Sequence, residues 1–207
     1  MADAPEITWY FDTVSPFSYL ALPAVEALAA RRAVAPRPVV LGAVLAHWGV
    51  LGPAEVPPKR LHTYRLCQFL ADRAGMPLRF PPRHPFRSLE AQRLLTALGP
   101  SLEDVRTAFD FIWREGRDPG DPAEFAALRE RFADRDLPDA KAALREATEE
   151  AVAAGVFGVP TLRIGTELFW GLDAMPMAEA WLEDRSPFAR GEMARIAELP
   201  VGVERRR

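Results

Sequence analysis

Cysteine is almost missing from this chain. There is one, Cys67, in 207 residues. A single thiol excludes an intrachain disulfide and any redox chemistry that needs two thiols in one chain. A reducing cytoplasm is the expected setting. Histidine is scarce too: His47, His62 and His84 lack metal-ligand spacing, and no metal is expected. Neither sign of charge dominates. The net charge of -3 gives no footprint for nucleic acid, so no nucleic-acid partner is expected. No apolar run reaches the roughly 18 residues of a membrane span. The best candidate, Val39 to Leu51, is too short, and no membrane partner is expected. The start, Met1-Ala2-Asp3-Ala4-Pro5-Glu6, has neither a basic nor an apolar segment, so no signal peptide is expected. Gly155 and Gly158 are not followed by Gly-Lys-Ser/Thr, which excludes a phosphate loop. Internal repeats and low-complexity segments are absent.

What is present is an ordered series of short elements. Glu6 to Phe11 is an apolar run that reads as a buried strand. Ser15 suits an N-cap and Pro16 the first helical position, opening a helix to about Ala33 with Pro23 inside it. Ala35 to Leu41 reads as a second strand despite Pro36 and Pro38. Helical spacing then predicts helices over Leu61–Ala74, Ser88–Leu98, from Ser101, from Asp121, and over Asp139–Ala154. The helix from Ser101 has the clearest stripe: Val105, Ala108, Phe109, Ile112 and Trp113. Phe125, Leu128 and Phe132 are expected inward on the next one. A Pro-led strand from Val159 to Gly165 turns at Gly165-Thr166 and pairs back through Glu167 to Trp170. Asp173 is expected to open a last helix to about Trp181, and the tail from Glu183 is expected to be mobile.

This order, βαβ, a run of helices, then ββα, predicts an α/β fold: a thioredoxin-like core with an all-helical insertion. The implied division is a core at 1–42 and 156–185, an insertion at 43–155, and a tail at 186–207.

The junction at Ser15-Pro16-Phe17-Ser18 stands where a thioredoxin-like oxidoreductase carries Cys-x-x-Cys. A cysteine at a helix N-terminus becomes a low-pKa nucleophile. A serine there keeps its proton and acts as a donor, while the helix end still favours an anion. Disulfide exchange is excluded at this turn, but activation of a thiol brought from outside is not. Cys67, between Leu66 and Phe69, reads as a buried, inert thiol. Arg83, His84 and Arg87 face either an acidic substrate or solvent, and Trp170 is a candidate to line a ligand cleft.

Two segments, "FDTVSPFSYLA" from Phe11 and "GVFGVPTLRIGTELFWGLD" from Gly155, resemble the 2-hydroxychromene-2-carboxylate isomerases, glutathione-dependent relatives of kappa-class glutathione transferases and DsbA-like proteins. "GPAEVPPKR", "RAGMPLRFPPRHPF" and "FIWREGRD" have the same texture. The resemblance implies a homodimer with glutathione as cofactor and an aromatic carboxylate as substrate. It assigns Ser15 as the catalytic donor to the glutathione sulfur. It assigns Val159 and Pro160 to a cis-proline loop whose backbone pairs with the tripeptide, Asp173 to the γ-glutamyl end, and Lys59 to the glycyl carboxylate. Leu172 falls at a further cofactor-contacting position. The chain departs from the family pattern at Val50, Leu66, Arg87 and Leu172, where members of the resembled family usually carry Asn, Asp, Asn and one of Gln, Asn or Ser. A kappa-like transferase, and a binding module that has lost glutathione, stay open as alternatives.

Overall fold

The structure, a computed structural model, describes residues 7–203. Glu6 and the Arg205-Arg206-Arg207 end lie outside them. Strand β1 (Ile7–Phe11) leads into helix α1 (Pro16–Ala29) and strand β2 (Val34–Pro38). Strands β3 (Thr161–Ile164) and β4 (Glu167–Trp170) follow much later in the chain. The four form one mixed sheet in the order β2-β1-β3-β4. β1 runs parallel to β2 and antiparallel to β3, and β3 and β4 form the expected hairpin. Gly165 makes that turn with φ of 64°, which a side chain would strain. The βαβ…ββα order and the α/β class are as read from the sequence.

Between β2 and β3 come α2 (Leu41–Trp48), α3 (Pro57–Ala74), α4 (Leu89–Leu98), α5 (Leu102–Phe109), α6 (Pro122–Glu130) and α7 (Lys141–Ala153). The main core joins this region to the sheet. Ile7, Trp9 and Phe11 of β1, Tyr19 and Leu22 of α1, and Leu162 of β3 pack with Leu95 of α4 and Phe109 of α5. A smaller cluster on the other face of the sheet holds Tyr10, Val39, Ala151, Val156 and Val159. The split follows from the two-residue period of a strand: Trp9 and Phe11 point one way and Tyr10 the other.

Several boundaries moved. The second strand stops at Pro38 rather than running to Leu41. The Asp12 carboxylate takes the Leu41 N–H at 2.9 Å and the Thr148 hydroxyl takes the Val40 N–H at 3.1 Å, which turns the chain into α2. Helix α2, absent from the sequence reading, is the result. α3 begins at Pro57 rather than Leu61, with prolines in its first turn, where a missing N–H costs nothing. Ser101 caps α5 in a reciprocal pair with Asp104, and Asp121 caps α6 through the Ala123 and Glu124 amides, both as expected. Leu128 and Phe132 are buried and Phe125 packs partly buried against the same core, inward as expected, although Phe132 lies beyond the helix end. The stripe after Ser101 is buried as expected, yet Asp110–Arg114 winds as a π-helix and buries Phe111, Ile112 and Trp113 in succession. Ser88 makes no cap bond; its hydroxyl faces Asp12 instead.

One correction concerns the end of the chain. Asp173 does not cap the last helix: it sits in a 3-10 turn (Leu172–Ala174), and α8 (Met175–Glu183) starts two residues later. The tail is not featureless. It carries a 3-10 turn at Ser186–Ala189 and a helix, α9 (Gly191–Ala197).

Cys67 is fully buried against Leu20 and Ala71, and burial pushes its thiol up to about 12. At pH 8 the thiolate fraction is then on the order of 10⁻⁴, so the thiol is a poor nucleophile. Ellman's reagent at pH 8 is expected to titrate no thiol in the native protein and one per chain in guanidinium. Rapid native labelling would contradict the packing described.

Candidate active site

β1 ends at Phe11, and the next side chain, Asp12, begins the turn into α1. Its Oδ1 accepts from the Val14 N–H at 3.0 Å and its Oδ2 from Leu41, while the Ser15 N–H donates to the Asp12 carbonyl at 3.0 Å. Burial pushes the Asp12 carboxyl above its ordinary value, and these donated hydrogen bonds pull against that. Ser15 leaves the turn in an extended conformation and caps α1, its Oγ accepting from Ser18 N–H at 3.2 Å. It is only 5% exposed. Its own O–H is donated to no group among the described residues. The Ser18 and Thr13 hydroxyls beside it are buried without partners.

The turn is held by side chains from distant parts of the chain. Gln92 of α4 accepts from Thr13 N–H at 3.1 Å and donates to the Phe11 and Val39 carbonyls at 3.0 and 2.8 Å. The Trp113 indole donates to the Thr13 carbonyl at 2.9 Å. His84 Nε2 lies 2.8 Å from the Val14 carbonyl, and its Nδ1 lies 2.7 Å from the Tyr64 hydroxyl of α3. Every backbone N–H and C=O from Thr13 to Ser15 is thereby committed.

Val159 and Pro160 sit at the same edge. Tyr10 pairs with Thr161, so one step on brings Pro160 opposite Phe11 and Val159 toward Asp12. The Val159–Pro160 bond is cis, as expected from the sequence, and so is His84–Pro85. β3 begins at Thr161, which leaves the Val159 backbone beyond the ladder. The Trp170 indole packs over Gly158; a Cβ there would come within 2.5 Å of its Nε1. Trp170 is half-exposed and meets Phe157 edge-on, with ring centroids 5.1 Å apart.

The remaining candidates are placed less closely. Leu172 packs with Phe17, Leu20 and Cys67 beside the start of α1. Asp173 is exposed and lies over Gly171, whose φ is 94°. Lys59 is exposed in the first turn of α3 and makes no salt bridge among the described residues. Val50 and Arg87 are exposed and Leu66 is partly buried. The sheet register brings Val159 and Pro160 to the Phe11–Asp12 end of β1, three residues ahead of Ser15, and Leu172 packs against Phe17 and Leu20 of the helix that Ser15 caps. No hydrogen bond or ion pair among the described residues ties Lys59 or Asp173 to them. A cavity of about 250 Å³ lined by Arg31, Arg32, Glu179 and Glu183 lies at the opposite end of α1.

Asp12 and Gln92 were missed as site residues, and His84, read as facing an acidic substrate or solvent, faces the Val14 carbonyl instead. Gln92 did leave a signal: it is the polar member of the buried α4 face, with Ala91, Leu94, Leu95 and Leu98. A polar group there needs a partner.

Replacing Gln92 with Leu removes three hydrogen bonds and strands the Thr13 N–H. The expected cost is about 2–4 kcal/mol, read as a lower urea midpoint with an unchanged slope. His84 gives a pH signature. Burial lowers its imidazole below its ordinary value. The folded protein therefore takes up the proton less readily than the unfolded chain. Its contribution is whole above about pH 6.5 and is lost as the pH falls through the lowered folded value. Asp12 works in the opposite sense: its raised value gives stability below about pH 3.9 that is lost as the pH rises. The difference in unfolding free energy between wild type and His84→Gln is expected to shrink from pH 7 to pH 5. A constant difference would show that His84 does not titrate this way.

Comparison with known proteins adds the family. A family model described as a DSBA-like thioredoxin domain matches residues 6–183. A 2-hydroxychromene-2-carboxylate isomerase of Sphingobium xenophagum is 30% identical over 191 residues, 86% of this chain and 98% of the relative. One from Pseudomonas putida is 30% identical over 187 residues, 84% of this chain and 92% of the relative. The solved structure of a selenomethionine 2-hydroxychromene-2-carboxylate isomerase aligns with a TM-score of 0.73 at 26% identity, covering 92% of this chain and 98% of that one. A family model spanning most of the chain, and relatives matched almost end to end, place it: the chain belongs to the DSBA-like thioredoxin-domain family and, within it, to the 2-hydroxychromene-2-carboxylate isomerase family.

Proposed function

We propose that this protein is a glutathione-dependent cis–trans isomerase acting on an aromatic carboxylate of the 2-hydroxychromene-2-carboxylate type. One observation carries the reading. In a chain of this family, a buried serine with an uncommitted O–H caps a 14-residue helix beside the Val159–Pro160 end of β3.

The residues suit glutathione at its sulfur and its backbone. The Ser15 hydroxyl and the positive end of α1 favour a thiolate. Val159, beyond the ladder, offers backbone groups to an extended peptide. Asp173 and Lys59, both exposed, would meet the γ-glutamyl amine and the glycyl carboxylate. Glutathione, when bound, supplies nucleophilic sulfur that adds reversibly to a conjugated double bond. Ser15 keeps its proton on Oγ and donates it toward the sulfur, favouring the thiolate without becoming a nucleophile. The buried contacts around Thr13 and Val14 hold that hydroxyl in place, so little reorganisation is needed.

A second reading rests on Leu172. It packs into an apolar cluster with Phe17 and Leu20 where relatives offer a polar side chain. On that reading the chain is a binding module without glutathione.

The test is turnover of 2-hydroxychromene-2-carboxylate followed by absorbance, with and without glutathione. Turnover is expected to require glutathione and to fall about 100- to 1000-fold in kcat/KM for Ser15→Ala. Equal turnover by the variant would overturn the role of Ser15. A stable thioether product would mark a transferase. Absence of both turnover and calorimetric glutathione binding would favour the binding module.

A further inference from the structure

His84 is built into the turn more firmly than a loop histidine needs to be. Its Nε2 faces the Val14 carbonyl at 2.8 Å; a carbonyl only accepts, so Nε2 carries the hydrogen. Its Nδ1 and its backbone carbonyl each lie 2.7 Å from the Tyr64 hydroxyl, which places the ring from the α3 side. Four aromatic rings enclose the imidazole: Tyr64, Phe80, Trp113 and Phe86, with centroids 5.1, 5.8, 5.5 and 6.0 Å away. The Val14 carbonyl is the peptide group immediately before Ser15. Of the side chains bonded to this turn's backbone, His84 alone acts on that group. Without it the Val14–Ser15 peptide is held only at its other end, by the Ser15 N–H on the Asp12 carbonyl at 3.0 Å, and the direction of the Ser15 Oγ is set less tightly.

We propose that His84 is a positioning residue: its Nε2–H clamps the Val14 carbonyl and so aims the Ser15 hydroxyl, while Tyr64 and the aromatic box fix the ring. The kinetic consequence rests on the isomerase reading; the structural consequence does not.

Two variants separate the clamp from the packing. His84→Phe keeps a ring in the box and loses the donor. His84→Gln loses the ring and keeps an N–H donor at similar reach. Amide exchange by NMR is the first measurement, because it needs no substrate. In His84→Phe, exchange at Val14 and Ser15 is expected to speed up about 10-fold while β3 amides keep their wild-type rates. His84→Gln should return most of the protection. Where wild type turns over the chromene with glutathione, His84→Phe is expected to lose about 10- to 100-fold in kcat with little change in KM. His84→Gln should recover most of it. Unchanged Ser15 exchange in His84→Phe overturns the proposal whatever the activity, and so does a His84→Gln no better than His84→Phe. A wild type that exchanges as expected but shows no turnover overturns the isomerase reading alone.

Discussion

The backbone of four residues, Asp12 to Ser15, is the constraint on which the rest of this site depends. A turn between a buried strand and a buried helix cannot reach water, so its N–H and C=O groups must be satisfied from within. Here they are satisfied mainly by side chains: the Asp12 carboxylate, the Gln92 amide, the Trp113 indole and the His84 imidazole. Each such group left unpaired would cost about 1–3 kcal/mol. The set is therefore specific, and the serine it carries has one place to be. The same contacts explain why α4, the π-helical stretch and the His84 loop lie against the sheet rather than elsewhere. They are the walls of the turn.

This arrangement fits a site that does not own its nucleophile. The chain's one thiol is sealed in the core between α1 and α3, with burial holding it protonated. What the helix end offers is a hydroxyl donor and a field that favours an anion, which is what the proposed function asks of it. The edge of β3 offers backbone. Leu172 closes the helix side of this region with an apolar contact to Phe17 and Leu20.

Much of this was legible in the sequence, for local reasons. Ser15-Pro16, Ser101 with Asp104, Asp121-Pro122 and Gly165 mark their elements through chemistry that acts within a few residues, and each does so in the structure. The β3–β4 pairing followed from apolar runs and a tight turn. The misses are long-range. Helix α2 exists because Asp12 and Thr148, neither near it in sequence, take the amides at its start. Gln92 and His84 act on residues some 70 or more positions away. A histidine without metal spacing and a glutamine on an apolar stripe look unremarkable until the fold places a carbonyl in front of them. Asp173 failed the other way: a good capping residue by type, it lies one residue too early in a 3-10 turn to cap α8.

The contact between Trp170 and Gly158 has a consequence for how this sequence can drift. The indole occupies the space that any side chain at 158 would need. Any side chain at 158 requires the half-exposed indole to move aside or residue 170 to become smaller. The two positions are therefore coupled by volume, although β3 lies between them in the chain, and a smaller residue at 170 leaves room at 158 and in the backbone just ahead of Val159.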